Sequence, residues 1–177
     1  HGTEEAIKGA IETDSRNWTV NEKVLFLHIV NSRFKDDVSF FHKLTADQKK
    51  EFYVADDNGV TPLYIAAHQG HVDVIKELLE GLETPEERKD YLHKANNGST
   101  PLHVAANEGH VDVIKELLEG LETPEKRKAY LHKADNGGRT PLHIAASRGD
   151  SQVVRVFKEY GVQESWCMWI RRNLGFS

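Results

Sequence analysis

The sequence predicts an all-α solenoid. Helix–turn–helix units stack side by side, joined by finger-like turns, with an added short helix per unit and helical caps at both ends. Three observations carry this. First, Thr61-Pro-Leu-Tyr-Ile-Ala-Ala, Thr100-Pro-Leu-His-Val-Ala-Ala and Thr140-Pro-Leu-His-Ile-Ala-Ala recur at spacings of 39 and 40 residues. Second, residues 61–99 and 100–138 differ at only eight positions. Third, Val111, Ile114, Leu117 and Leu118 form one apolar stripe at helical spacing. A fixed period of this size means stacked supersecondary units, each too small to close a core alone.

Composition narrows the function. The 177 residues are 38% hydrophobic and 29% charged, too apolar for disorder. No apolar run is long enough to span a membrane. Lys and Arg number 23 against 28 Asp and Glu, a net charge of −5, which disfavours phosphate-neutralising nucleic-acid binding. One cysteine, Cys167, excludes an internal disulfide framework and fits a reducing, cytoplasmic compartment. The sole methionine is Met168, so the chain reads as a fragment or a processed product.

In chain order, residues 1–20 read as an N-terminal helical extension, with Ile7 and Ile11 giving residues 3–12 an apolar edge. Residues 21–54 read as a decayed capping repeat. Leu25 to Ser32 lies over Leu63 to Gly70, Phe40-Phe41 over Leu78-Leu79, and Phe52 over Tyr91; Thr45 and Gln48 echo Thr84 and Glu87. Terminal repeats depart from the pattern because one face lacks a neighbour.

Three regular units follow, at 55–94, 95–133 and 134–162. Each opens on a turn: Asp57-Asn58-Gly59, Asn96-Asn97-Gly98 and Asp135-Asn136-Gly137. Asn-Gly reaches positive φ at little cost. Thr100 then caps the first helix, and Pro101 pre-sets its first φ. Small alanines let the neighbouring unit approach. Gly70, Gly109 and Gly149 end these helices in a left-handed residue. The second helix buries Val111, Ile114, Leu117 and Leu118 and leaves Lys115, Glu116 and Glu119 in water. Thr84, Pro85 and Glu87 then open a further helix with a capping box; Thr123, Pro124 and Lys126 repeat that start without the box partner.

These units resemble the ankyrin repeat. The residues that carry the resemblance are Asn97-Gly98-Ser99-Thr100-Pro101-Leu102-His103-Val104-Ala105-Ala106, then Gly109-His110-Val111-Asp112-Val113-Ile114, then Leu117-Leu118. The match spans roughly 55–161. The usual repeat has about 33 residues, so the surplus here is the stretch Leu82–His93 and its copy Leu121–His132. The resemblance implies a binding surface built from finger turns and first helices, and a polypeptide as its ligand.

In the last unit Lys158 replaces Leu118, which suits a face without a following neighbour, and Val156 replaces Glu116. Residues 163–177 read as a C-terminal helical tail that covers that spot. Trp166, Trp169, Ile170 and Leu174 recur at helical spacing, so Trp166 and Trp169 are a possible secondary contact or dimer surface; a monomer is the expected state.

No catalytic site is expected. Among the ten histidines, His71 and His110, His93 and His132, and His103 and His143 fall at repeat-equivalent places, spread along the array rather than converging on a metal. His103 and His143 sit where an imidazole meets the Thr cap. Cys167 lacks an activating partner motif. No cofactor or metal is expected.

The near-identical copies instead mark a surface where they disagree. Val60, Ser99 and Arg139 are equivalent finger positions. His68-Gln69, Asn107-Glu108 and Ser147-Arg148 end the first helices, and Tyr64 replaces a histidine. The expected partner footprint is Tyr64, His68, Gln69, Ser99, Asn107, Glu108, Arg139, Ser147 and Arg148. It runs from neutral through acidic Glu108 to basic Arg139 and Arg148, which suits a polypeptide of mixed charge. The function expected is a protein-interaction module. The alternatives are a regulatory or substrate-recruiting part of a larger enzyme, channel or ligase, and a bacterial or viral effector acting on a host protein.

Overall fold

A computed structural model describes Gly9 and residues 17–33 and 44–162, with backbone only at 28–33 and 46. Of the expected helix at 3–12 only Gly9 is described, and it is helical; the expected helix after Glu164, with Trp166 and Trp169, lies outside the described residues. Those residues form ten helices: α1 (Val20–Arg33), α2 (Ala46–Lys50), α3 (Pro62–Gln69), α4 (Val72–Glu80), α5 (Pro85–His93), α6 (Pro101–Glu108), α7 (Val111–Glu119), α8 (Pro124–Leu131), α9 (Pro141–Ser147) and α10 (Ser151–Glu159). The first helices stack in the row α1, α3, α6, α9, and the second helices in the row α4, α7, α10, while α1 also packs on α4. The added helices are α5 and α8.

Local chemistry sets the boundaries. Thr61, Thr100 and Thr140 are N-caps in extended conformation, each followed by Pro at the first helical position. Gly70 and Gly109 close α3 and α6 in the left-handed region at φ 78° and 77°, where a Cβ would be strained. Reciprocal capping boxes start α2 (Thr45 with Gln48) and α5 (Thr84 with Glu87). In α8 the Thr123 hydroxyl accepts from the Lys126 amide; Lys126 has no acceptor to return the bond.

Leu63, Ala66, Ala67, Leu102, Ala105 and Ala106 have no solvent exposure. The alanines allow close helix approach, and each buried Leu or Ile contributes about 1.5–3 kcal/mol relative to exposure. In the second helices Val113, Ile114, Leu117 and Leu118 are buried, while Val111 is half-buried. This corrects the expected stripe: the helix turns so that Val113 faces inward. Glu116 is also less wet than expected, its side chain 23% exposed and 3.7 Å from Lys76 of the preceding repeat. Burial pushes its carboxyl above the ordinary value, with Lys76 opposing. In the last unit Lys158 is exposed and Val156 is buried.

The added helices fasten each unit to itself. Tyr91 and Tyr130 are buried, and their hydroxyls accept from the amides of Leu63 and Leu102, both at 3.3 Å. Those amides lie in the first turns of α3 and α6, where no helical acceptor exists. The Tyr91 hydroxyl also faces the Phe52 carbonyl at 3.4 Å. Burial raises both phenols well above their ordinary pKa.

The N-terminal unit has a different register from the one expected. Val24 and Leu27, 0% and 1% exposed, occupy the places of Leu63 and Ala66, an offset of 39 residues instead of 38. Leu25 therefore corresponds to Tyr64. Helix α1 also begins earlier than its counterparts, where Thr19 and Glu22 exchange bonds: the Thr19 amide donates to Glu22 Oε2 at 2.7 Å and the Glu22 amide to Thr19 Oγ1 at 3.2 Å.

The fingers are of two kinds. In the first, Asp56 Oδ1 accepts from the amides of Asn58 and Val60, both at 2.9 Å, and Gly59 is left-handed at φ 78°. In the third, Asp135 Oδ1 accepts from Gly137 and Arg139, both at 2.9 Å. Its left-handed residue is Gly138 at φ 74°, not Gly137 as the Asn-Gly pairing suggested. The middle finger is one residue shorter between its alanine and its threonine. Asn96 and Ser99 pair through both backbone bonds around Asn97 (φ 51°) and Gly98 (φ 79°), a two-residue hairpin turn.

Candidate functional site

The expected footprint falls on the C-terminal ends of α3, α6 and α9 and on the finger legs, except for Tyr64, which lies in the first turn of α3. His68, Gln69, Asn107, Glu108, Ser147 and Arg148 are exposed, one pair per repeat. Left-handed Gly70 and Gly109 follow directly after the first two pairs. Tyr64 is half-buried, its amide donating to Thr61 Oγ1 at 3.1 Å.

Three of these residues form a contiguous group. Asn107 Nδ2 donates to Glu108 Oε1 at 2.8 Å, and His68 Nε2 of the preceding repeat lies 4.0 Å from the same oxygen. Ser147 Oγ donates to the Ile144 carbonyl at 2.8 Å, so its hydroxyl is turned onto its own helix. Ser99 is half-buried and committed to its finger pair.

Arg139, read from the sequence as a basic finger residue, has its charge met locally. Its guanidinium lies 2.9 Å from Asp135 Oδ2 within its own finger, and Nε donates to that oxygen at 3.0 Å. Desolvation pulls the Asp135 carboxyl upward, but the Arg139 amide and guanidinium outweigh it and hold the carboxyl below its ordinary value. Arg148 makes no ion pair among the described residues, so it is the cation available at this end of the row.

Two residues that the sequence did not assign to the surface support it from beneath. His110 Nε2 lies 3.1 Å from the His68 carbonyl, and its ring sits 3.0–3.2 Å from where a Cβ on Gly70 would be. The end of one first helix thus rests on the next repeat. The signal was present: His71 and His110 recur beside a glycine, and Asp150 replaces them in the third unit, capping α10 through the Gln152 and Val153 amides. The second residue is His103. Its Nδ1 faces the Thr100 amide at 3.2 Å and hydroxyl at 2.8 Å, as the sequence suggested. Its Nε2 also reaches the Arg139 carbonyl at 3.0 Å in the next finger. Burial holds this imidazole below its ordinary pKa, with the Arg139 carbonyl opposing.

Away from this row, a cleft of about 760 Å³ lies between α2, the end of α4 and α5, lined by Lys49, Lys50, Tyr53, Glu80, Glu87 and Asp90 among others. Glu87 is engaged there by the Glu83 and Thr84 amides. Among the described residues no three His, Cys, Asp or Glu side chains are placed to hold a metal ion. No helix of the described residues is long and apolar enough to cross a membrane.

Stacked helical pairs, Thr-Pro helix starts and projecting fingers define a helical repeat protein. The family model for ankyrin repeats (3 copies) matches residues 27–127 and 88–165, and the chain belongs to the ankyrin repeat family. The match extends into the N-terminal unit. Ankyrin repeats are generally protein–protein interaction modules. No curated protein matches the chain.

Proposed function

We propose that the protein binds a polypeptide partner across the finger turns and the ends of its first helices. The observation that carries this is the distribution of differences between near-identical copies. Leu63, Ala66, Val74, Ile75 and Leu78 recur as Leu102, Ala105, Val113, Ile114 and Leu117 without change. At the exposed row, His68-Gln69 becomes Asn107-Glu108 and then Ser147-Arg148. Packing fixes the first set, and a partner fixes the second. Tyr64 and Arg148 are the anchors at its two ends, and a few anchors supply most of the affinity. The chain acts without catalysis, as a monomer, in a reducing cytoplasmic compartment that keeps Cys167 a thiol.

Affinity capture from a cytosolic lysate tests this, with the Tyr64→Ala/Arg148→Ala double variant as control bait. A protein retained by the parent and lost by the variant, with the thermal melt unchanged, is the expected result. Equal capture by both baits would remove these residues from the site.

A further inference from the structure

The 39-residue register of the N-terminal unit places Leu25 one unit before Tyr64 in the row of first helices. Leu25 is 54% exposed, one of two large apolar side chains so open among the described residues. Tyr64 is half-buried against the core beside it in the series. In the next two units the same place holds His103 and His143, whose rings turn back onto the Thr100 and Thr140 caps. Apolar surface at this position is therefore confined to the first two units.

Charge follows further along. The Glu108 carboxylate has a neutral amide from Asn107 at 2.8 Å and His68 at 4.0 Å, with no Lys or Arg paired to it among the described residues. One repeat later, Arg148 also lacks a carboxylate partner, while the Arg139 charge is met by Asp135. Covering either open charge in an interface is unfavourable unless the partner brings the opposite sign.

We propose that this row selects a polypeptide segment bearing an apolar side chain, then a cation, then a carboxylate, in that order from the N-terminal unit to the third repeat. The apolar side chain seats on Leu25 and Tyr64, the cation meets Glu108, and the carboxylate meets Arg148. Neighbouring helices sit about 8–10 Å apart and an extended chain advances about 3.3 Å per residue, so the cation and carboxylate stand roughly three residues apart. The inference rests on the reading of the first-helix ends as the binding face.

The test is selection from a random linear peptide display library against the full chain, repeated with Arg148→Glu, Leu25→Ser, Tyr64→Ala and Asn107→Ala, after confirming unchanged melts. The parent should enrich peptides with the apolar, basic, acidic order. Arg148→Glu should exchange the acidic position for a basic one and weaken the parent-selected peptide at least tenfold, and Leu25→Ser should lose the apolar preference. Peptides that need Tyr64 and Asn107 but ignore the sign at position 148 would overturn the charge order alone. Peptides indifferent to Tyr64, Asn107 and Arg148 together, or no enrichment at all, would overturn the binding face as well.

Discussion

His103 performs two tasks with one ring. Its Nδ1 caps the start of α6 at Thr100, and its Nε2 ties the next finger through the Arg139 carbonyl. Both are satisfied by the neutral ring with the proton on Nε2. His103→Leu removes both and is expected to cost about 1–2 kcal/mol in urea unfolding. The same chemistry sets a pH dependence. Burial holds His93, His103 and His143 below their ordinary value of 6.5. The unfolded chain then takes up protons first as pH falls, so the histidine contribution is intact above 6.5 and declines below it. The urea midpoint should fall between about pH 7.5 and about pH 5.5, and a midpoint that held or rose would contradict this. The tyrosines make a second residue-scale case. Tyr130→Phe leaves the Leu102 amide without its acceptor inside the protein, an expected loss of about 1–3 kcal/mol, visible as a lower urea midpoint. The Thr-His pairing was legible in the sequence because its members are three residues apart. The tyrosine bonds were not, because Tyr91 and Leu63 are 28 residues apart and no local pattern marks which hydroxyl meets which helix start.

At the scale of elements, the fingers show what one residue of length decides. The first and third have an aspartate whose carboxylate gathers two amides; the shorter middle finger closes by backbone pairing alone. Gly98 is left-handed, and a Cβ there would sit 2.6 Å from the Asn136 backbone nitrogen in the next finger. Gly138 is left-handed too, but nothing lies within 4 Å of its Cβ position. Gly138→Ala should therefore cost only the strain of positive φ, about 1 kcal/mol, and Gly98→Ala clearly more. Equal losses in denaturant unfolding would refute the finger-to-finger contact. Helix starts and stops were readable because Thr-Pro and Gly are local signals. The third finger's left-handed residue was misplaced because Asn136-Gly137-Gly138 offers two glycines, and hydrogen bonding to Asp135 chooses between them. The N-terminal register slipped by one because that unit has lost its Thr-Pro start, leaving only apolar spacing as a guide.

For the whole molecule, stability is a sum of repeat and interface contributions, so a lesion in the middle should divide the array. Leu117 has no solvent exposure, and Leu117→Asp is expected to lower the melting midpoint by more than about 10 °C, followed by circular dichroism. The solenoid was legible because repetition multiplies a weak local signal threefold. The proposed binding face rests on the differences between copies, which the sequence displays directly. The sequence did not show which of its charges were already met: Arg139 and Arg148 read alike as basic residues, and only the folded finger places Asp135 against one of them. The most direct test of the division between packing and binding positions is a mutational scan of residues 17–162 with two readouts, folded abundance and retention of the captured partner. Substitutions at Leu102, Ala105, Ile114 and Leu117 should lower both. Those at Tyr64, His68, Gln69, Asn107, Glu108 and Arg148 should lower retention and spare abundance. If the positions that affect retention alone clustered instead on α5 and α8, the first-helix ends would not be the binding face.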